Sequence, residues 1–114
     1  MLTIDALRRL GANTEEGLGR CMKNEAFYLR LVNMALDDEG YDKLVSAIDH
    51  GDLKAAFEVA HSLKGSLGNL ALTPIYAPIA ELTESLRGGQ ETGCRALLDQ
   101  ILQARAALLA LREN

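Results

Sequence analysis

The 114-residue sequence is poor in aromatic residues, which make up 4% of the chain, and it contains no Trp and only two Pro. Its core must therefore come from Leu, Ala, Ile, Val and Met, most of which are good helix formers. Hydrophobic residues at 48% and charged residues at 25% are typical of a globular domain and exclude disordered or collagen-like chains. We therefore expect one all-α domain over residues 1–114.

The chain also lacks a basic excess, since 12 basic residues face 16 acidic ones for a net charge of −4. No nucleic-acid partner is expected from such a balance. No apolar run approaches the roughly 18 residues of a membrane span, and the first residues do not have the layout of a signal peptide. We expect a cytoplasmic protein without direct membrane contact, either on its own or as a cytosolic segment of something larger.

Cysteine and histidine are equally scarce, with two of each. Cys21 and Cys94 are too few for a disulfide framework and are expected to be packing thiols. Together with His50 and His61 they offer no pair at the short separations that zinc sites use. The sequence therefore predicts neither a metal nor a cofactor.

Capping residues and glycines divide the first half of the chain into helices. One or two short helices are expected within about residues 3–22, with Thr14 as the N-cap of the second. A long helix is expected from about Asn24, as its N-cap, to His50, and Gly40 leaves open whether it is straight, bent or broken. Gly51 ends this helix, as a residue that readily adopts positive φ.

The second half contains three further helices. Asp52 caps a helix that runs to about Ala71, with apolar residues at three- and four-residue spacing. Thr73 is expected to cap the next helix, which ends at Gly88 and Gly89. The last helix is expected from about residue 91 or 92 to Leu111. Short connections favour an antiparallel up-down four-helix bundle over about residues 24–112, with the short helices added at the N-terminus.

Four residues of the helix after Asp52 form a connected patch beside its apolar stripe: His61, Lys64, Gly65 and Gly68, which we call the histidine patch. Their spacings place them on one side of the helix. Each glycine costs about 1 kcal/mol relative to Ala in a helix interior, so both need a reason. Glycines beside an imidazole leave room for a larger group or another protein, although Gly68 could equally allow close helix packing.

This patch predicts phosphoryl chemistry. A neutral imidazole offers a nitrogen lone pair as nucleophile near pH 7, and the cation of Lys64 favours an anion placed on the ring of His61. Phosphoryl transfer depends mostly on positioning and charge neutralisation. The sequence has no P-loop, no Gly-rich nucleotide-binding loop and no carboxylate pair at the spacing of a metal site. We therefore expect a phosphoryl carrier rather than an enzyme, with any catalytic metal on its partner.

The run from Ala60 to Leu70, AHSLKGSLGNL, closely resembles the signature of histidine-containing phosphotransfer (HPt) domains, roughly A-H-x-L-K-G-x-x-x-N-L. The Gly51-Asp52 step before it and the Leu-rich segment 82–89 after it are similar to the family as well. The resemblance covers about residues 14–90 and, loosely, the last helix. Three positions depart from the usual family pattern: Ala35, Ala71 and Thr83.

The resemblance implies a monomeric four-helix bundle that relays phosphoryl groups between receiver-domain aspartates in two-component phosphorelays. It implies phosphorylation at His61, phosphate stabilisation by Lys64, space at Gly65 and a flat docking surface at Gly68. The implied partners are receiver domains of response regulators or of a hybrid sensor histidine kinase. The chain could itself be the cytoplasmic segment of such a membrane kinase.

Two alternatives stay open at this stage. The first is a helical interaction bundle that binds receiver domains or other signalling proteins without carrying phosphate. The second is the dimerisation and phosphoacceptor helix pair of a histidine kinase. The second usually has Glu directly after the His and Pro shortly beyond, whereas Ser62 and Leu63 follow His61 here. The other histidine, His50, is expected to be a structural residue at a helix end.

Overall fold

The computed structural model describes residues 1–113 and confirms the all-α prediction, with seven α-helices and no strand in that range. A 3-10 turn, Leu111–Glu113, follows the last helix. No helix within the described range is long and apolar enough to span a membrane. The helices are α1 (Ile4–Arg9), α2 (Thr14–Arg20), α3 (Glu25–Leu36), α4 (Gly40–Asp49), α5 (Leu53–Asn69), α6 (Thr73–Arg87) and α7 (Cys94–Ala110).

The last four helices form the bundle. α5 packs against α6, α6 packs against α7, and α4 contacts both α5 and α7, which closes the ring. Short connections reverse the chain between consecutive helices, as antiparallel up-down packing requires. The centre is aliphatic, and its fully buried side chains include Leu44, Leu67, Ile79, Leu82 and Ile101. The predicted antiparallel bundle with short N-terminal helices is confirmed.

The long helix expected between Asn24 and His50 is broken into α3 and α4. Asp37 caps the end of α3, and the side chain of Asp38 accepts a hydrogen bond from the backbone N–H of Gly40 at 2.7 Å. A Cβ atom at Gly40 would lie 3.1 Å from the side chain of Leu63 on α5. Gly40 therefore allows α4 to begin close to α5.

Two of the predicted N-caps are correct. Asn24 accepts a hydrogen bond from the backbone N–H of Phe27 at 3.0 Å, and Asp52 accepts one from Ala55 at 3.1 Å. The prediction for Thr14 is wrong by one residue, because the side chain of Asn13 caps α2. Thr14 is instead the first residue of that helix.

Three other boundaries also differ from the prediction. Leu72 rather than Thr73 occupies the N-cap of α6, and it supplies no side-chain hydrogen bond. The helix α5 ends at Asn69, since Ala71 adopts a positive φ of 54° that a helix cannot contain. The helix α7 begins at Cys94 because Gly93 before it has a φ of 85°.

The N-terminal helices pack on the turn between α5 and α6. The backbone N–H of Asn13 donates to the carbonyl of Ala71 at 3.0 Å, and the buried Tyr28 hydroxyl donates to the carbonyl of Leu70 at 2.9 Å. Gly17 packs directly against the Leu70 carbonyl and the Tyr28 ring. A Cβ atom at Gly17 would lie 2.7 Å from that carbonyl oxygen and would overlap the ring. These contacts hold α2 beside the C-terminal end of α5.

Candidate functional site

The exposed face of α5 carries the histidine patch. His61 and Gly65 are exposed, while Lys64 and Gly68 are partly covered by neighbouring residues. The apolar stripe of the same helix, which includes Ala60, Leu63 and Leu67, is buried in the bundle. The packing of this stripe fixes the rotation of α5 and therefore turns His61 outward to solvent.

The ring of His61 stacks on the ring of Phe57, one helical turn earlier. The ring centroids are 5.7 Å apart and the ring planes differ by 11°. Phe57 is partly buried and packs against the core. Because one face of the imidazole lies on an anchored ring, Phe57 restricts the orientations of His61 while leaving its outer side to solvent.

Two charged residues of α6 reach the patch. The Lys64 ammonium lies 3.9 Å from one carboxylate oxygen of Glu84, and the other oxygen lies 3.3 Å from the guanidinium of Arg87. The Arg87 guanidinium lies over the ring of Phe57, 5.0 Å from its centroid. Charges and rings from α5 and α6 therefore form one connected group around His61.

The two glycines of the patch have different surroundings. A Cβ atom at Gly65 would meet no atom within 4 Å, so the surface there is open. A Cβ atom at Gly68 would lie 2.9 Å from the ring of Tyr76 on α6. Gly65 leaves unfilled space beside His61, whereas Gly68 allows Tyr76 to approach α5. This contact favours the close-packing alternative for Gly68.

An open groove of about 820 Å³ runs along α5 from His61 towards the N-terminal helices. Its lining includes Lys64, Gly65 and Tyr76, together with Arg20 of α2. The Arg20 guanidinium donates to the carbonyl oxygens of Gly68 at 2.6 Å and Asn69 at 3.1 Å. Arg20 therefore caps the C-terminal end of α5, and its charge is paired with that of Glu16, which also lines the groove.

Four other residues singled out in the sequence do not line this groove: His50, Cys21, Cys94 and Thr83. His50 is the C-cap of α4, and its Nδ1 atom is 2.7 Å from the carbonyl oxygen of Ser46. Cys21 and Cys94 are buried free thiols, and burial raises the pKa of Cys94. Thr83 is fully buried and donates its hydroxyl hydrogen to Ile79 at 2.7 Å, so it does not orient the His61 ring. No cluster of metal-ligating side chains occurs among residues 1–113.

Sequence reasoning assigned no functional role to Phe57, Glu84, Arg87 or Arg20. Phe57 fits the apolar spacing of this helix, but its position four residues before His61 is also a spacing at which helical side chains contact each other. Glu84 and Arg87 are likewise three residues apart, a spacing at which side chains on one helix contact each other. Nothing local to α6 indicates that this pair faces α5, because that depends on how the two helices pack.

The fold and the site define a class of protein, a helical bundle that exposes one histidine beside a lysine and an open glycine surface. The comparison with family models matches residues 31–114 to the Hpt domain. The chain belongs to the Hpt domain family. No curated protein and no solved structure matches the chain.

Membership of this family gives the chain a general role. Hpt domains carry phosphoryl groups on histidine in two-component signalling, and they are phosphocarriers rather than enzymes. They interact with receiver domains and kinases in phosphorelays. The family match begins at residue 31, so α1 and α2 lie outside it.

Proposed function

We propose that the chain is a phosphorelay intermediate in which His61 accepts a phosphoryl group from a receiver-domain aspartate and passes it to a second receiver. The observation that carries this proposal is the exposed imidazole of His61, which lies one helical turn from Lys64 and beside the open surface of Gly65. A partner can therefore reach a ring nitrogen without any rearrangement of the bundle.

The proposed first step is an in-line displacement at phosphorus. The lone pair of a ring nitrogen of His61, Nε2 by resemblance to the family, forms the N–P bond. The P–O bond to the aspartate breaks, and the carboxylate leaves with the electron pair. The imidazolium then loses the proton on its other nitrogen to water. In the second step the other ring nitrogen takes a proton back from water, and a carboxylate oxygen of another receiver attacks the same phosphorus. The P–N bond then breaks, and His61 leaves as neutral imidazole with the electron pair.

Each residue of the histidine patch has a proposed part in these steps. Lys64 neutralises charge on the phosphoryl oxygens, since an ammonium group close to transferring oxygens lowers the cost of their charge. Gly65 leaves space for the partner. Gly68 keeps the docking surface flat by allowing Tyr76 to pack closely. The catalytic metal and most catalytic groups are proposed to lie on the receiver.

The proposal extends to the organisation and location of the chain. We infer a single domain over residues 1–114 that acts as a cytoplasmic monomer, either free or as a segment of a larger sensor kinase. Measurement of the molecular mass in solution tests whether the chain is a monomer. A dimer would favour the helix-pair architecture of a histidine kinase, which needs a partner chain.

The test is label transfer from a phosphorylated receiver domain. The wild-type chain and the His50→Gln variant should both gain acid-labile label, whereas His61→Gln should gain none. His50→Gln is the matched control because it also removes an exposed imidazole, at the end of a helix. Receiver binding without label on any variant would favour the alternative interaction bundle. Equal labelling of His61→Gln and wild type would overturn the assignment of the site.

A further inference from the structure

Glu84 lies between two cations that both belong to the surroundings of His61. One carboxylate oxygen is 3.9 Å from the Lys64 ammonium, and the other is 3.3 Å from the Arg87 guanidinium. The side chain of Glu84 is 59% exposed, and that of Lys64 is 28% exposed. In the unphosphorylated chain the cation expected to meet the phosphoryl group is therefore already paired.

We propose that Glu84 is a positioning residue that holds Lys64 before phosphorylation and releases it to the phosphoryl group on His61. The inference rests on the proposed function in one respect, namely that His61 carries a phosphoryl group. It adds that the carboxylate of Glu84 competes with that group for Lys64. Glu84 then sets how strongly the phosphorylated state is stabilised.

The charges favour this exchange. A phosphoryl group carries roughly −1.5 to −2 charges near pH 7, against −1 for a carboxylate. Lys64 lies three residues after His61 on one helix, a spacing at which side chains meet. Ion pairs as exposed as that of Lys64 and Glu84 are weak, so Lys64 can leave Glu84 at small cost.

Arg87 keeps Glu84 paired when Lys64 leaves the carboxylate, so that Lys64 can also return to it. Arg87 lies three residues after Glu84 on α6 and keeps its own contact with the carboxylate when Lys64 moves away. The guanidinium is also held over the ring of Phe57, 5.0 Å from the centroid. Glu84 therefore has one fixed cation and one exchangeable cation.

The competition between Glu84 and the phosphoryl group for Lys64 should change the second pKa of the phosphoryl group on His61. An ammonium beside a phosphoryl group favours its dianion and lowers its second pKa. Removal of the Glu84 charge frees Lys64 for the phosphoryl group, so we expect a further decrease of about 0.3–0.7 in that pKa, or two- to fivefold in the proton-dissociation constant. The decrease should depend on Lys64.

The experiment uses the full chain with His50→Gln, so that His61 is the only histidine, and phosphoramidate as the phosphoryl donor. The P–N bond of phosphoramidate breaks, a P–N bond to a ring nitrogen of His61 forms, and ammonia leaves. The second pKa of the bound phosphoryl group is then measured by phosphorus NMR. The variants are Glu84→Gln, Lys64→Gln and their combination, and Glu81→Gln is the control for loss of an exposed charge on the same helix.

The proposal predicts a lower phosphoryl pKa in Glu84→Gln, little change in Glu81→Gln, and less than half of the Glu84→Gln effect when Lys64 is also replaced. An undiminished effect without Lys64, an equal effect of Glu81→Gln, or no phosphorylation of His61 would each overturn it. The receiver plays no part in this measurement. Failure of transfer from a receiver would therefore contradict the proposed function separately.

Discussion

The imidazole of His61 lies nearly parallel to the phenyl ring of Phe57, with the centroids 5.7 Å apart and 11° between the planes. Phe57 is itself held between the core and the Arg87 guanidinium. The nucleophilic ring therefore has one face on an immobilised surface. This arrangement limits the imidazole rotations that remain available when a partner approaches.

Replacement of Phe57 by Leu should slow phosphoryl transfer to His61. Stacked aromatic pairs contribute about 0.5–1.5 kcal/mol beyond their buried area, which corresponds to a two- to twelvefold lower rate if ring orientation is lost. Stopped-flow or quench measurement of transfer from a phosphorylated receiver gives the rate, and Phe57→Tyr should restore most of it. An unchanged rate in a folded Phe57→Leu chain would show that stacking does not position His61.

Replacement of Gly65 by Ala should change stability and transfer in opposite directions. The added Cβ atom meets nothing within 4 Å, so the chain should gain about 1 kcal/mol of stability from higher helix propensity. It fills the space beside His61 that the partner needs, so transfer should fall about tenfold or more, as misplacement of a reacting group does.

Gly19→Ala provides the matched control for Gly65→Ala. Gly19 is an exposed helical glycine of α2 with nothing within 4 Å of an added Cβ atom. This variant should gain similar stability in urea unfolding and retain the wild-type transfer rate. Equal transfer by Gly65→Ala and Gly19→Ala would count against a clearance role for Gly65.

Replacement of Gly17 by Ala should destabilise the chain, in contrast to Gly19→Ala in the same helix. The new Cβ atom would lie 2.7 Å from the Leu70 carbonyl oxygen and would overlap the buried Tyr28 ring. Overpacking typically costs about 1–3 kcal/mol, and it outweighs the gain in helix propensity. Urea unfolding should show a net loss of up to about 2 kcal/mol. A gain would contradict the observed packing of α2 against the α5–α6 turn.

The chain should lose stability between about pH 10 and pH 12. Burial raises the pKa of Tyr28 from its usual 10.0 to about 12 and that of Tyr41 to about 12. In this range the unfolded chain ionises its tyrosines while the folded chain keeps them protonated. The free energy of unfolding should therefore be unaffected below pH 10 and fall above it, by up to about 1.4 kcal/mol per pH unit for each tyrosine.

Tyr28→Phe separates the two tyrosines in this pH range. The variant loses the hydrogen bond to the Leu70 carbonyl, so it should be less stable near neutral pH. Its free energy of unfolding should then decline less steeply above pH 10 than that of the wild type. Equal slopes, measured by urea unfolding at several pH values, would show that Tyr28 does not contribute.

Much of the fold was predictable because its signals are local. Asn24 and Asp52 cap the helices that their residue types predict, and the apolar spacing of α5 correctly placed His61 on the exposed side. The sequence does not decide the break near Gly40, because the close approach of α4 to α5 that Gly40 allows involves Leu63, which is distant in sequence. Ala71 departs from the family pattern, but its sequence context does not predict the positive φ that it adopts.

The site was predictable in part for the same reason. His61, Lys64 and Gly65 share one helix, so their spacing was sufficient to group them. The pairing of Lys64 with Glu84 and the packing of Tyr76 on Gly68 depend on the register of α6 against α5. That register is set by core packing between helices and leaves no local pattern in the sequence.

The most direct test of the central claim is a two-step transfer with two receiver domains, one phosphorylated at the start and one not. With the wild-type chain present, label should leave the first receiver, appear on His61 and reach the second receiver. With His61→Gln in its place, the second receiver should remain unlabelled. Equal labelling of the second receiver with both chains would contradict the claim that His61 carries the phosphoryl group.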